Sequence, residues 1–177
     1  KSNLKSLIIM KKNLILLGMM AVGKTTIGKI VAKELDLEFI DTDANIEKEN
    51  AMKIKEIFEQ NGEEFFRNEE EKITINCLEK HNCLIALGGG AFMNRKIREK
   101  ILKRCISIWL DADIKVLTER VKWNKNRPLL NGENIEKKLV DLYNERKKIY
   151  KLAAVKINCN NLDKTSIVKK IIKFYEN

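Results

Sequence analysis

Short apolar runs alternate with longer amphipathic segments along most of the chain. The short runs have the length of buried strands, whereas the longer segments repeat apolar residues at helical spacing. Strands are predicted at Asn13–Leu17, Glu38–Ile40, Cys83–Ala86, Cys105–Leu110 and Val155–Asn158. Helices are predicted at Lys24–Leu35, Asp43–Asn50, Ile54–Gln60, Glu63–Lys80, Arg95–Leu102, Ile114–Val121, Ile135–Tyr150 and Thr165–Tyr175. This order indicates an α/β domain whose parallel sheet is covered by helices on both faces.

The 177 residues suffice for one domain with its own core, and we find no repeat, linker or low-complexity tract. We expect the domain to cover 10–177 and residues 1–9 to be an N-terminal extension, because Met10 followed by two lysines resembles a natural start. A polar, aperiodic segment surrounds the chain's one proline, Pro128. It predicts either an active-site lid at about 122–134 or an ordinary connection between helices.

The formal net charge is +10, but the 28 lysines and 7 arginines are scattered among glutamates. This distribution is typical of a solvated surface, and we expect no nucleic-acid partner. The four cysteines are widely spaced, which favours buried thiols in a reducing cytoplasm over a metal site. Without a run of 18 apolar residues we also expect no membrane span.

The segment from Gly18 to Thr25 matches the phosphate-loop pattern G-x-x-x-x-G-K-[ST] and lies between a predicted strand and a predicted helix. In such a loop, backbone N–H groups and the helix N-terminus bind phosphate anions. Lys24 is then expected to reach the β- and γ-phosphates, and the Thr25 hydroxyl to ligate Mg²⁺. The flanking elements favour a nucleoside triphosphate site over a chance match.

Two aspartates, Asp41 and Asp43, follow the second predicted strand. If the backbone is still extended there, both carboxylates point to the same side, where one suits Mg²⁺ and the other an attacking hydroxyl. The alternative is that Asp43 only caps a helix that begins at Ala44. Spacing alone leaves these two interpretations even.

Gly88-Gly89-Gly90 follows the third strand, which indicates that another group approaches the backbone closely there. A tight turn is the alternative, but one glycine would suffice for it. The rarity of arginine in this lysine-rich chain suggests sites that need a planar, forked donor. The candidates are Arg67, Arg120, Arg127 and Arg146, while Arg95, Arg98 and Arg104 are expected on the surface. Taken singly, each candidate is also compatible with a surface ion pair.

Together these motifs resemble the shikimate kinase family over nearly the whole chain from Lys12 onward. The ordered set is the phosphate loop, Asp41-Thr-Asp43, Phe66-Arg67 with Glu70, Gly88-Gly-Gly90, Arg127-Pro-Leu-Leu130, and Arg146 within Glu145–Tyr150. The resemblance implies a three-layer P-loop kinase fold with a five-stranded parallel sheet in the order 2-3-1-4-5 and a mobile lid. It also implies ATP-dependent phosphorylation of the shikimate 3-hydroxyl by a Mg²⁺-requiring monomer, in aromatic amino-acid synthesis.

The resemblance also implies roles for individual residues. Lys24, Asp43 and Arg127 would be catalytic, with Asp43 holding the acceptor hydroxyl, and Thr25 and Asp41 would serve Mg²⁺. The implied ATP site comprises Gly18, Ala21, Val22, Gly23, Lys24, Thr25, Thr26, Arg120 and Arg127. The implied shikimate site comprises Asp43, Phe58, Phe66, Arg67, Gly88, Gly89, Gly90 and Arg146.

The chain departs from the family pattern at two places. Ala21 stands where many relatives carry a third glycine, so a positive φ there would strain the loop, although we expect the change to be tolerated. The proline that often flanks adenine is missing near 160–164, so no adenine contact is assigned to that loop. The alternative function is another small-molecule P-loop kinase, such as gluconate kinase.

Overall fold

The computed structural model describes residues 12–122 and 134–177. The extension predicted at 1–9 lies outside these ranges, as does 123–133, which holds Arg127 and nearly all of the predicted lid. The strands are β1 Leu14–Leu17, β2 Glu38–Asp41, β3 Cys83–Ala86, β4 Ile106–Asp111 and β5 Val155–Asn158. The helices are α1 Lys24–Leu35, α2 Thr42–Asn50, α3 Ile54–Leu78, α4 Arg95–Arg104, α5 Ile114–Lys122, α6 Ile135–Tyr150 and α7 Lys164–Glu176.

All five strands are parallel and follow the order β2-β3-β1-β4-β5, which confirms the predicted sheet. The central strand β1 is buried at every position, as expected for a strand with neighbours on both sides and helices above and below. The carboxyl ends of β1, β2 and β3 therefore lie side by side, where ligands bind in open parallel sheets.

Most element boundaries agree with the hydrophobic pattern to within about two residues. The two helices predicted on either side of Gly62 form one element, α3, whose backbone is non-helical at that glycine (φ 83°). The four cysteines are free thiols, three of them buried and Cys105 half-buried. Within the described ranges no helix is long and apolar enough to cross a membrane.

The turn between β1 and α1 has positive φ at three positions, Gly18 (146°), Ala21 (63°) and Gly23 (109°). A side chain at Gly18 would collide with the Leu110 carbonyl, so glycine is required there for close approach to β4. Ala21 adopts the left-handed conformation that a third glycine would adopt without strain. Alanine therefore replaces the family's glycine at a position that requires a left-handed backbone. This conformation costs about 1–2 kcal/mol for a residue with a Cβ.

Ala21→Gly should leave the free energy of unfolding unchanged or raise it by up to about 1 kcal/mol, because relief of the left-handed strain offsets the added freedom of the unfolded chain. The matched control is Ala44→Gly at an exposed helical position of α2, which should lower stability by about 0.5–1 kcal/mol. Urea unfolding of both variants measures the difference. Equal losses in the two would contradict the strain assigned to Ala21.

Candidate active site

Lys24 begins α1 and lies across the loop that precedes it. Its Nζ donates to the carbonyl oxygens of Gly18 at 2.8 Å and Met19 at 3.0 Å. The ammonium group is therefore held at the concave side of the loop, next to the α1 N-terminus, where a phosphate anion is favoured. This placement agrees with the predicted role of Lys24 as a phosphate ligand.

The next residue, Thr25, links α1 to the end of β2. Its hydroxyl donates to Oδ2 of Asp41 at 2.7 Å, so a hydroxyl and a carboxylate oxygen lie together at the rim of the loop. Both are hard oxygen donors of the kind that Mg²⁺ prefers. No group of three His, Cys, Asp or Glu side chains able to hold a metal occurs in the described part of the chain. A cation at Thr25 and Asp41 would therefore take its other ligands from phosphate oxygens and water.

The two aspartates are brought together by a helix start rather than by an extended strand. Asp41 is the last residue of β2 and the N-cap of α2, since its Oδ1 accepts the N–H groups of Asp43 at 3.0 Å and Ala44 at 3.3 Å. The premise of an extended backbone at 41–43 was wrong, and so was the alternative that Asp43 caps the helix. Asp43 lies in the first turn of α2 and, like Asp41, lines the cavity beside the loop.

The three glycines after β3 lie against charged side chains, which are Asp43 and Glu70 at Gly88, Arg146 at Gly89 and Arg67 at Gly90. A side chain at Gly88 would collide with Oδ1 of Asp43, and one at Gly89 would lie 3.0 Å from Nη1 of Arg146. One at Gly90 would lie 3.1 Å from the Arg67 guanidinium carbon. None of the three glycines has a positive φ, so they are needed for space and not for conformation. The expected close approach to this backbone is confirmed, and the approaching groups belong to this chain.

Glu70 forms an ion pair with Arg67 and is also influenced by the charge of Arg146, so its carboxylate compensates positive charge at the turn. It is 3% exposed, and its Oε2 accepts from Nη1 of Arg67 at 2.7 Å. Burial raises the pKa of Glu70, while the positive charges of Arg67 and Arg146 act in the opposite direction. Arg67 also donates to the exposed Glu63 at 3.3 Å. These contacts orient the Arg67 guanidinium toward the glycine turn.

Arg146 on α6 is itself buried, at 4% exposure. Its Nη1 has no hydrogen-bond partner among the described residues, although it faces Gly89. A buried guanidinium nitrogen that lacks a partner is costly unless an anionic ligand completes it. This observation makes Arg146 the strongest candidate for binding an acidic group of a ligand.

Two aromatic side chains lie next to this charged group. The Phe58 and Phe66 rings are 4.6 Å apart between centroids, and the Arg67 guanidinium carbon is 5.2 Å from the Phe66 ring centroid. Phe66 is buried and Phe58 is half-buried. The two rings thus form an apolar surface beside Arg67, and the contact with shikimate that the resemblance implies for them stays a prediction.

A cavity of about 370 Å³ connects the loop with the aspartates. Its lining includes Ala21, Gly23, Lys24, Thr25, Thr26, Asp41, Asp43, Ala86, Leu87, Gly89 and Arg120. Arg120 is exposed and donates to the carbonyl oxygens of Ala21 at 3.1 Å and Val22 at 3.2 Å, so its guanidinium lies over the outer side of the loop. The Val22 side chain is buried in the core, and Val22 is not among the residues that line this cavity.

Sequence reasoning missed two hydroxyl groups that contact the glycine turn, those of Thr42 and Tyr150. The Gly88 N–H donates to Thr42 Oγ1 at 2.9 Å, and the Tyr150 hydroxyl donates to the Gly89 carbonyl. Their positions offered a signal, because Thr42 stands between the two aspartates and Tyr150 is one helical turn after Arg146. Arg98, expected on the surface, is half-buried and donates to the carbonyls of Phe92 and Met93.

Comparison with known proteins finds similarity to one family over most of the chain. The shikimate kinase family model matches residues 20–176. A shikimate kinase of Bacillus licheniformis is 43% identical over 155 residues, which cover 86% of this chain and 87% of the relative. The structure of shikimate kinase from Acinetobacter baumannii in complex with shikimate has a TM-score of 0.89 at 34% identity, and the match covers 93% of this chain and 92% of that one. A gluconokinase from Sinorhizobium meliloti has a TM-score of 0.57 at 14% identity, over 94% of this chain and 93% of that one, and shares the fold alone.

Arg67→Met should lower the free energy of unfolding by about 2–3 kcal/mol at pH 8, because it leaves the buried Glu70 carboxylate without its hydrogen-bonded cation. The folded-state pKa of Glu70 is already raised, and loss of Arg67 raises it further. Protonation therefore favours the folded variant, and stability is lost as the pH rises from the unfolded-state pKa through the folded-state pKa. The deficit should shrink when urea unfolding is repeated at pH 5.

Arg95→Met is the matched control for this experiment. Arg95 also pairs with a glutamate, Glu99 at 2.7 Å, but on the solvent-exposed side of α4. We expect no measurable change in stability at either pH, because exposed pairs contribute little. A deficit for Arg67→Met that is equally small, or that grows on acidification, would contradict the role of Arg67 as the partner of a buried carboxylate.

Proposed function

The chain belongs to the shikimate kinase family, and we propose that it transfers the γ-phosphoryl group of ATP to the 3-hydroxyl of shikimate. Membership makes the chain an ATP-dependent kinase of the aromatic biosynthetic route. The assignment of residues rests on the glycine turn, where the Asp43 and Glu70 carboxylates and two guanidinium groups converge beside the phosphate loop. A hydroxylated carboxylic acid is complementary to this combination.

The acceptor would be held by its two kinds of functional group. Arg146 and Arg67 suit the carboxylate, because guanidinium groups bind carboxylates with paired, charge-assisted hydrogen bonds. Phe58 and Phe66 would contact the apolar part of the ring. The hydroxyl would then lie at Asp43, which lines the cavity together with Lys24 and accepts or orients the hydroxyl proton. This arrangement brings the attacking oxygen to the γ-phosphate.

Phosphoryl transfer depends on positioning and on neutralisation of the phosphate charge. Lys24 and the N-terminus of α1 supply positive charge beneath the phosphates, and Arg127 is the candidate for a further cation from the predicted lid. Arg127 lies outside the described residues, so its role stays a prediction. Arg120 would contact the outer part of the nucleotide from its position over the loop.

We further propose that Mg²⁺ is the cofactor. The Thr25 hydroxyl and the Asp41 carboxylate fit this ion, which takes one or two protein oxygens together with phosphate oxygens and water. When bound, the ion would neutralise negative charge on the phosphates of the nucleotide. This chain's contribution is to hold the two oxygens in place, Thr25 by its position in α1 and Asp41 by its capping bonds to α2.

Release of ADP from ATP and Mg²⁺ should be accelerated by shikimate and not by gluconate or by any nucleoside monophosphate. Each acceptor is added in turn to the purified protein, and phosphorus NMR of the product identifies the phosphorylated hydroxyl. Lys24→Met is the control for contaminating kinases and should lower the shikimate-dependent kcat by roughly a hundredfold. Acceleration by gluconate or a nucleotide with none by shikimate would overturn the proposal.

Asp41→Asn should raise the Mg²⁺ concentration that gives the half-maximal rate by about tenfold or more, a loss typical of a weakened metal site. Asparagine caps helices as well as aspartate does, so the start of α2 is retained. Asp36→Asn is the matched control, since it removes the same charge at the opposite end of α1. The Mg²⁺ dependence of nucleotide affinity, measured by calorimetry, gives a second readout. An unchanged requirement in Asp41→Asn would exclude Asp41 as a Mg²⁺ partner.

A further inference from the structure

The glycine turn at 88–90 has no side chains of its own, yet two of its backbone polar groups are bonded by buried hydroxyls. The Gly88 N–H donates to Thr42 Oγ1 at 2.9 Å, and the Tyr150 hydroxyl donates to the Gly89 carbonyl. Thr42 and Tyr150 are both 0% exposed. Burial raises the pKa of Tyr150 to about 12, against an opposing effect of Arg146, so the hydroxyl remains a donor at neutral pH.

Each hydroxyl comes from the helix that also supplies the charged group at the same glycine. Thr42 directly precedes Asp43 in the first turn of α2, and Asp43 is the side chain that lies against Gly88. Tyr150 follows Arg146 by one turn of α6, and Arg146 is the side chain that faces Gly89. The hydroxyl bonds therefore fix the distance between each charged side chain and the turn.

Thr42 has a second contact that strengthens this link. Its Oγ1 lies 3.4 Å from the carbonyl oxygen of Ala86, the last residue of β3. The same oxygen thus contacts the end of β3 and the start of the glycine turn, although it belongs to the helix that follows β2. Apolar packing is not directional and would tolerate small shifts between these segments, whereas a hydrogen bond sets their relative position.

We propose that Thr42 and Tyr150 are positioning residues for phosphoryl transfer, with Thr42 fixing Asp43 and Tyr150 fixing Arg146 relative to the Gly88–Gly90 turn. This inference rests on the proposed function, because it assigns the acceptor to that turn. Neither residue needs to touch the acceptor or the nucleotide. The hydroxyls act on the reaction through backbone position, where an error of about 1 Å is enough to cost a large factor in rate.

The two residues should affect different kinetic constants. Thr42→Val is expected to lower kcat roughly tenfold to a hundredfold, since Asp43 shifts from the acceptor hydroxyl. The KM for ATP should stay within twofold of the parent value, because Lys24 and Thr25 belong to α1. Tyr150→Phe is expected to raise the KM for shikimate about tenfold, since the turn and Arg146 are no longer held together. Thr42→Ser restores the hydroxyl and should recover most of the kcat.

The chain offers a matched control for each variant. Thr74 is also 0% exposed, but its hydroxyl has no partner among the described residues, so Thr74→Val should leave kcat and KM within twofold. Tyr175 is buried in α7, where its hydroxyl donates to the Lys12 carbonyl at 2.8 Å, far from the turn. Tyr175→Phe removes the same kind of bond and should leave the KM for shikimate unchanged. Urea unfolding of all five variants separates effects on stability from effects on kinetics.

The inference is overturned if Thr42→Val keeps its kcat within twofold, if serine fails to restore a lost kcat, or if Tyr150→Phe keeps the parent KM for shikimate. It is also overturned if the controls change these constants equally. Should Thr42→Val not fold, Tyr150→Phe decides alone, because loss of one oxygen from an aromatic ring preserves packing. A parent protein without shikimate-dependent ADP release would contradict the proposed function itself, whereas an active parent with unaffected variants contradicts only the positioning roles.

Discussion

Four charged side chains from three helices lie against one short turn, and they fit because Gly88, Gly89 and Gly90 leave the space for them. The helices are α2, α3 and α6, which approach the carboxyl end of β3 from different directions. A Cβ at any of the three positions would meet one of the charged groups. The charged groups can therefore approach this turn only because its three residues carry no side chains. The rest of the fold brings these three helices to the turn.

Convergence of charge at one turn creates an electrostatic problem that Glu70 partly solves. Two guanidinium groups near each other repel, and the buried carboxylate of Glu70 lowers that cost through its 2.7 Å bond to Arg67. Its own burial is unfavourable, as its raised pKa indicates. With Asp43 at the same turn, two carboxylates balance the two guanidinium groups. Nη1 of Arg146 still has no partner among the described residues, and it is there that we propose an anionic acceptor binds.

The sequence predicted most of this fold because hydrophobic periodicity reports which faces are buried. The sheet order and the motif roles came from family resemblance, which periodicity does not contain. Asp41 and Asp43 were predicted to lie close together on the premise of an extended backbone. In the structure α2 begins directly after β2, and the sequence alone does not distinguish such a helix start from a continued strand. Thr42 and Tyr150 were not singled out: their spacing from Asp43 and Arg146 placed them near the site, but a hydrogen bond from a buried hydroxyl to a distant backbone group cannot be read from that spacing. Ala21 was recognised as a departure, but only its φ showed that the position is strained.

A turn that must leave space for four charged side chains cannot use side chains of its own to hold its position. Its position has to be fixed through its backbone N–H and C=O groups, and the partners for these must come from other elements. Hydroxyls suit this task, because each adds a directional bond without a charge that would compete with Asp43 or Arg146. Thr42 and Tyr150 each contact the turn, and Asp43 and Arg146 on the same two helices are the side chains proposed to contact the acceptor. The residues that hold the turn and those proposed to bind the acceptor therefore come from the same two helices.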